Sequence, residues 1–399
     1  MELNIYFKNV GQGDTIFLDW VSGENATRKF ALIDCNMIGN NIDPVIRHIK
    51  DHEIREFEFV LLTHPHSDHF SGLLPLFDYC EENSIVINRF LHTSNYSMPV
   101  LRTMLERDIG DEDFKAFVLS GVHYEPHKEK LLQTICRVMV EVEKNGRGFI
   151  KDVDTVNSIP FLLSENIRAQ FLAPSSFEFR EYARANYVFE AGSKPMIRQD
   201  NENNPEANML STFIRIFNDV DQWQVLLSSD CTRETFERIL ENPNLHGVVT
   251  TSKLLAMQVP HHGSRKNHTR AFWDGMQHRK ETHAIVSVGL GYGHPARSVI
   301  EYFKDNYHCV HATNFVGGYR EVFGGKPGGY HPLAGISMLD LPAVNAGATG
   351  YGGDMDNSGP ICSEKHLRVT VKKGEASCVL IPSEHEAPDQ WLQVLRGTP

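Results

Sequence analysis

No stretch of this 399-residue sequence approaches the ~18 consecutive apolar residues of a membrane span, so no contact with a membrane is expected. The start, Met1-Glu2-Leu3-Asn4, has neither the basic region nor the apolar stretch of a signal peptide, and the expected location is cytoplasmic. There is no CxxC. The seven cysteines (35, 80, 136, 231, 309, 362 and 378) are odd in number and scattered, which suits a reducing cytosol better than a disulfide framework. Positive charge is scarce: 39 Lys+Arg against 51 Asp+Glu leave a formal net charge of −12. That balance argues against a surface coated for tight, non-specific nucleic-acid binding, although a local basic groove stays open. No repeat recurs at a fixed period. With 41% hydrophobic and 23% charged residues the chain can bury a sizeable core and is not a disordered one. What it has in excess is histidine, 20 residues, and their placement is informative.

Leu3, Ile5 and Phe7 alternate with polar neighbours, and Gly11-Gln12-Gly13-Asp14 reads as a turn. Apolar runs at 15–20, 29–35 and 57–62 predict strands. Helical spacing predicts helices over 43–52 and 71–82. The signal weakens from about 88 to 205, with helices expected at 97–107 and 126–145, a strand at 168–173 and polar loop at 175–207. Beyond it the alternation sharpens: strands at 210–217, 222–228, 253–259, 284–288 and 309–313, and helices at 232–241, 269–278 and 295–306. Segments 317–335 and 342–363 are rich in glycine and proline and read as loop. A closing hairpin is expected from 367–372 and 377–381. The expected organisation is a core of 1–90 and 208–341, an insertion or cap at 91–207, and a C-terminal extension at 342–399. Two halves of alternating strand and helix are compatible with two sheets packed face to face between helices.

The strongest chemical signal is Thr63-His64-Pro65-His66-Ser67-Asp68-His69, directly after the buried strand at 57–62. Three imidazoles and a carboxylate within six residues are a transition-metal ligand set, not an alkaline-earth one. His64 and His66, two apart on an extended segment, can face one ion. Asp68 and His69, on the turn into the next helix, can face a second. Leu226-Leu227-Ser228-Ser229-Asp230 is an apolar strand ending in an acid. Alone, Asp230 reads as the N-cap of the next helix; beside the histidine motif it reads as a carboxylate bridging two ions. Val259-Pro260-His261-His262-Gly263-Ser264 follows the next strand. Adjacent side chains cannot easily bind one ion identically, so one of His261 and His262 is expected as a ligand and the other facing the substrate. His294, at a loop-to-helix junction with no other ligand type within three positions, is a candidate proton donor or phosphate contact, and the Ser264 hydroxyl another phosphate contact. His48, His52, His278 and His283 sit on or beside helices and read as solvated; Cys231 reads as packing.

These motifs carry a family resemblance. Val10-Gly11-Gln12-Gly13-Asp14, Leu32-Ile33-Asp34, the Leu61–Leu73 stretch around the histidine motif, Leu226–Asp230, Val259–Ser264 and Tyr292-Gly293-His294-Pro295 together resemble metallo-β-lactamase-fold hydrolases, and within them the hydrolase domain of ComEC-type DNA-uptake proteins. The resemblance spans about residues 1–90 and 208–320. It implies an α/β fold, a four-layer αββα metallo-β-lactamase sandwich, with two divalent transition-metal ions, Zn²⁺ first and Mn²⁺ second. It places His64 and His66 on one metal. Asp68, His69 and His262, with His261 as the alternative, belong to the other, and Asp230 bridges. A further His that the superfamily supplies about twenty residues before the bridging Asp is absent; the region reads Asn208-Met209-Leu210-Ser211. His123 or His127 could substitute. The activity implied is that of a metal-dependent hydrolase, first a phosphodiesterase or nuclease acting on a nucleic acid or nucleotide. Asp68 would orient the attacking water, with His294 and the unliganded member of His261/His262 beside the substrate. The same chemistry also serves lactones, thioesters and β-lactams, and a non-enzymatic module with a vestigial site is the third alternative. ComEC-type proteins add a membrane channel that this chain lacks, so a role in DNA uptake does not carry over.

Overall fold

The structure is a computed structural model and describes residues 2–23, 26–38, 40–93, 126–179, 182, 187–188, 196–197, 207–288, 294–313, 366–372 and 374–381. Its first part runs β1 (Glu2–Phe7), β2 (Ile16–Ser22), β3 (Thr27–Ile33), α1 (Asp43–Asp51), β4 (Glu56–Phe57), β5 (Phe59–Leu62), α2 (Ser67–Phe70), α3 (Leu73–Glu82), β6 (Val86–Ile87) and β7 (Phe90–His92). Next come α4 (Pro126–Glu143), β8 (Val153–Thr155), β9 (Phe161–Leu162), β10 (Arg168–Ala173), β11 (Tyr187–Val188) and β12 (Met196–Ile197). The second half holds β13 (Phe213–Asn218), β14 (Trp223–Leu227), α5 (Arg233–Glu241), α6 (Pro243–Thr251), β15 (Lys253–Gln258), α7 (Arg270–Asp274), β16 (His283–Val286), α8 (Arg297–Asn306) and β17 (Cys309–Ala312). The hairpin β18 (His366–Lys372) and β19 (Glu375–Ile381) is the last element described.

Two sheets carry the fold. One has eight strands in the order β19-β18-β1-β2-β3-β5-β7-β8, the other seven in the order β17-β16-β15-β14-β13-β10-β9. The pleat explains how they stack, because successive side chains point to opposite faces. In β5, Leu61 joins Leu3, Ile5, Ile16 and Leu18 from its own sheet and Ile214, Val225, Leu255 and Ile285 from the other, forming the core between the sheets. Its neighbours Val60 and Leu62 face the other way and pack against Val45 and Ile49 of α1, Leu73, Leu76 and Phe77 of α3, and Ile135 and Val138 of α4. The second sheet is covered likewise by Phe236 and Ile239 of α5, Val249 of α6, Phe272 and Trp273 of α7, and Val299 and Phe303 of α8. The result is a mixed α/β, four-layer αββα sandwich. Strands buried on both faces read as continuous apolar runs, which is why β5 and β14 are nearly all hydrophobic in sequence.

Two expectations about boundaries change. Much of the stretch expected as an insertion or cap is built into the sandwich: β8 extends the first sheet, β9 and β10 extend the second, and α4 covers the first sheet's outer face. The Leu131, Ile135, Val138 spacing of α4 supplies the apolar stripe that this burial needs. The hairpin expected as part of an extension pairs along the whole of β1 and belongs to the first sheet. The expected helix at 97–107 and loops at 317–335 and 342–363 lie outside the described residues. Among the described residues no helix is long and apolar enough to cross a membrane.

Candidate metal centre

Every segment singled out for its chemistry emerges at one end of the sandwich. β3, β5 and β7 run parallel in one sheet, and β14, β15 and β16 in the other. Asp34 follows β3, His64 follows β5, Asp230 follows β14, His261 and His262 follow β15, and His294 follows β16. Carboxyl ends of parallel strands are where open α/β sheets leave a crevice for ligands. Thr63 ties the two sheets together there: its carbonyl accepts from Thr212 N and Oγ1, both at 3.1 Å, and its hydroxyl lies 2.8 Å from Ser229 Oγ. The Gly11–Asp14 turn packs against the motif from the other side. Gly13 has φ +121°, and a Cβ there would stand 2.2 Å from the Asp68 carbonyl oxygen, so only glycine lets the turn approach this closely.

Two groups of donor atoms form around Asp230. Asp68, His69, Asp230 and His262 make one; His64, His66 and Asp230 make the other. In the first, His69 Nε2 is 3.6 Å from Asp230 Oδ2 and 4.0 Å from Asp68 Oδ1. His262 Nε2 is 3.5 Å from Asp230 Oδ1 and 3.6 Å from Asp68 Oδ2. In the second, His64 Nε2 lies 3.8 Å from Asp230 Oδ2 and 3.1 Å from His66 Nδ1. Most of these separations are too long for hydrogen bonds. They suit donors arranged about one ion at ~2.0–2.2 Å, which stand roughly 3.3–3.6 Å apart in a tetrahedron. His69 Nε2, Asp230 Oδ1 and His262 Nε2 are buried and have no hydrogen-bond partner. Three such atoms converging in one group are costly unless something polar or charged fills the space between them, and a divalent cation fits that donor set.

The rings are oriented from behind. His69 Nδ1 donates to Asp34 Oδ2 at 2.6 Å, and His262 Nδ1 donates to the Ser287 carbonyl at 3.0 Å. Each leaves Nε2 with its lone pair toward the group, the arrangement that metal-ligating histidines show. Asp34 also accepts from Thr63 N at 2.8 Å and from Thr63 Oγ1 at 2.6 Å. Burial pushes its carboxyl up to about 6, against the pull of His69. Burial likewise opposes charge on Asp230, but His262, His261 and His69 overcome it and hold the carboxyl well below its usual range. His262 is raised to about 9; burial works against its charge, and Asp230 and Asp68 outweigh it. Burial also opposes the charge on His69, yet Asp34, Asp230 and Asp68 raise it well above an ordinary imidazole. Without a bound ion between them the carboxylates draw protons onto these two rings, and a bound cation would displace the Nε2 protons to take the lone pairs.

The remaining candidates fall as follows. His261 lies beside Asp230, Nε2 to Oδ2 3.5 Å, with its side chain 20% exposed. His294 packs against it, ring centroids 5.5 Å apart, so the structure brings His294 to the cluster across more than thirty residues of sequence. Burial, reinforced by His261 and His262, lowers His294 to about 4 and leaves it neutral at pH 7. Ser264 is buried and donates its N–H to the His261 carbonyl at 2.8 Å, offering less open surface to a substrate than His294 does. Asp230 is not the cap of α5, a position held by Thr232. His123 and the His127 side chain lie outside the described residues. His48 and His283 are not solvated. His48 stacks on His52 and Phe17 with centroids 4.0 Å apart, and His283 Nδ1 bonds His311 Nε2 at 2.9 Å. The contacts of Asp34, Thr63 and Asn208 were not foreseen from sequence. For Asp34 a signal existed, since Leu32-Ile33-Asp34 repeats the pattern of an apolar strand ending in an acid that marked Asp230.

No family model and no curated protein matches the chain. Solved structures that it resembles include a new diphosphatase from the PhnP family, 8% identical over 71% of this chain and 86% of that one, TM-score 0.33. Another is the metallo-β-lactamase fold protein YhfI from Bacillus subtilis, 10% identical over 78% of this chain and 95% of that one, TM-score 0.37. Scores of this size add nothing to the sheets and clusters themselves, whose αββα layering is the architecture that the sequence resemblance implies.

Proposed function

We propose that the protein is a dinuclear metal-dependent hydrolase of phosphodiester bonds. The observation that carries this reading is the convergence of three buried, unpartnered donor atoms, with Asp230 shared between two ligand groups. His64, His66 and Asp230 would hold one ion, and Asp68, His69, Asp230 and His262 the other. Nitrogen and carboxylate donors favour Zn²⁺, with Mn²⁺ the second candidate. When bound, two such cations supply an activated water near neutral pH and offset charge on the attacked phosphoryl group.

The chain's own groups do the rest. Asp68, with its side chain 32% exposed, is open enough to accept a hydrogen bond from the attacking water and orient it. His294, neutral in the free protein, donates a hydrogen bond to a phosphate oxygen. A bound phosphate anion raises its pKa, so that the ring can take up a proton from solvent and pass it to the leaving alkoxide. Asp34 and the Ser287 carbonyl keep His69 and His262 in the tautomer that faces inward. An anionic substrate is favoured by Arg265 and Lys266, two exposed cations immediately after Ser264 in an otherwise acidic chain; Lys266 is near enough to His294 to depress its protonation. The likeness to ComEC-type hydrolase domains points to the same bond.

The test is hydrolysis of bis-p-nitrophenyl phosphate against nitrocefin and a thioester, with added Mn²⁺ or Zn²⁺. Turnover of the phosphodiester alone supports the reading. Preference for either other substrate transfers the site to lactam or thioester chemistry. Metal binding with no turnover of any of the three identifies a binding module.

A further inference from the structure

The two ligand groups are unequal. One offers four side chains, the other only His64, His66 and Asp230, although protein Zn²⁺ sites commonly use three or four. The stretch Asn208–Ser211 holds no histidine to make up the deficit, but Asn208 lies beside His261.

His261 and His262 both have left-handed backbones, φ/ψ 45°/55° and 51°/25°. This conformation is strained for a side-chain-bearing residue and rare in two successive ones. It splays the two rings, with centroids 6.0 Å apart and planes 79° from parallel. Each ring consequently meets a different oxygen of the same carboxylate. His262 Nε2 lies 3.5 Å from Asp230 Oδ1, and His261 Nε2 lies 3.5 Å from Asp230 Oδ2. Oδ2 is the oxygen through which the first group reaches Asp230, with His64 Nε2 at 3.8 Å; it also faces His69 Nε2, at 3.6 Å, but His69 belongs to the group that already has four side chains. We propose that His261 completes the first ligand group with His64, His66 and Asp230, while His262 serves the second, so that both members of the His-His pair are ligands, one to each ion. This rests on the dinuclear reading above and assigns the donor which that reading leaves missing.

Asn208 supports the assignment. It is 2% exposed, its amide nitrogen lies 3.3 Å from His261 Nδ1, and its Oδ1 is buried without a partner. Amide oxygen and nitrogen exchange places by a half-turn of the group. With Oδ1 turned to the ring, Asn208 accepts Nδ1–H from His261 and leaves Nε2 its lone pair. Asp34 does this for His69 and the Ser287 carbonyl for His262, so Asn208 is a positioning residue of the same kind. The His261 donors are not within 4.8 Å of both His64 and His66, so ligation by His261 requires its ring to move inward.

The experiment is a Zn²⁺ titration of the full chain against a competing chelator, read as stoichiometry and two affinities, with the visible spectrum of the Co²⁺-substituted protein as a second readout. The wild type is expected to bind two ions. His261→Gln should keep one tight ion and weaken the other by more than about 100-fold, and the Co²⁺ spectrum should lose the component of that site. Asn208→Ala, which removes no ligand, should weaken the same ion by about 10–100-fold and serves as the measure if His261→Gln fails to fold. Two ions at wild-type affinity in either folded variant would overturn the proposal and return His261 to the substrate side. A wild type that binds no metal would overturn the dinuclear reading itself, an outcome distinct from this one.

Discussion

Replacing Asp34 by Asn tests whether the ring behind the second ligand group is held as described. The substitution keeps size and shape. It is also mild for the backbone, because Asp34 has φ +57° and Asn is one of the few residues that adopt that region readily. What changes is one acceptor. Asp34 Oδ1 takes Thr63 N, and Oδ2 takes both Thr63 Oγ1 and His69 Nδ1, the last at 2.6 Å. If the new amide keeps its oxygen on Thr63 N, its NH₂ faces His69 Nδ1, and two donors cannot share that contact. The ring proton then shifts to Nε2, which faces Asp230 Oδ2 at 3.6 Å and loses the lone pair that a cation needs. If the amide turns the other way, Thr63 N–H is left facing a donor in a buried site, at a cost of about 1–3 kcal/mol. The first arrangement predicts second-ion affinity lower by about 10–100-fold, roughly 1.4–2.7 kcal/mol, with the first ion little changed. Chelator-competition titration measures both affinities, and thermal unfolding in excess chelator separates loss of fold from loss of metal. Unchanged affinity for the second ion in a folded variant, or equal loss of both ions, would refute the orientation argument.

Asp230→Ala should weaken both ions, because Asp230 belongs to both ligand groups, whereas replacing both His64 and His66 by Ala should remove one; elemental analysis decides, and equal loss of both metals in every variant would indicate one coupled site. His294→Ala should retain full metal content and lower turnover by about 10²–10⁴-fold, with a smaller loss for a p-nitrophenolate leaving group that needs no proton; a variant losing metal would make His294 a ligand. His268 packs against Tyr302 and Phe303, has no hydrogen bond to either ring nitrogen, and is lowered by burial to about 4. A lowered imidazole stabilises the fold fully above its unfolded value near 6.5, and that contribution is lost as pH falls through 4, by up to roughly 3 kcal/mol. Denaturant melts across that window should show a shallower decline for His268→Leu, and identical pH profiles would count against this account.

The gathering of candidate donors at one end was legible where they are contiguous or follow a strong strand. His64, His66, Asp68 and His69 lie within six residues after a doubly buried strand, and Asp230, His262 and His294 each follow one too. Parallel strands then deliver all of them to one end. The contact between Asp34 and His69 was not legible, because it joins residues 35 apart through a left-handed turn that no local pattern announces. Nor was the middle of the chain. β7, β8 and β9 have only two or three residues each, too few to show a period of two, so their sheet membership comes wholly from pairing partners elsewhere. His48 misled for a related reason: a polar residue on an amphipathic helix lies at the edge of the buried stripe, and only the neighbouring Phe17 and Tyr6 decide that it goes inside.

The pairing of β1 with β18 bears on how the chain reaches this state. β1 can pair with β2 as soon as that strand is made, but its other edge is covered only when the hairpin arrives; Thr370 Oγ1 bonds Asn4 Oδ1 across 366 residues of chain. Until then a ribosome-bound chain presents an open strand edge whose apolar residues Leu3, Ile5 and Phe7 belong in the core. Unpaired edges of this kind recruit other strands, and pairings so distant in sequence form slowly. The interval between synthesis of the first strand and of the hairpin that seals it is therefore the stage at which this edge is most open to mispairing, and chains cut short before residue 366 would lack the strand that covers it.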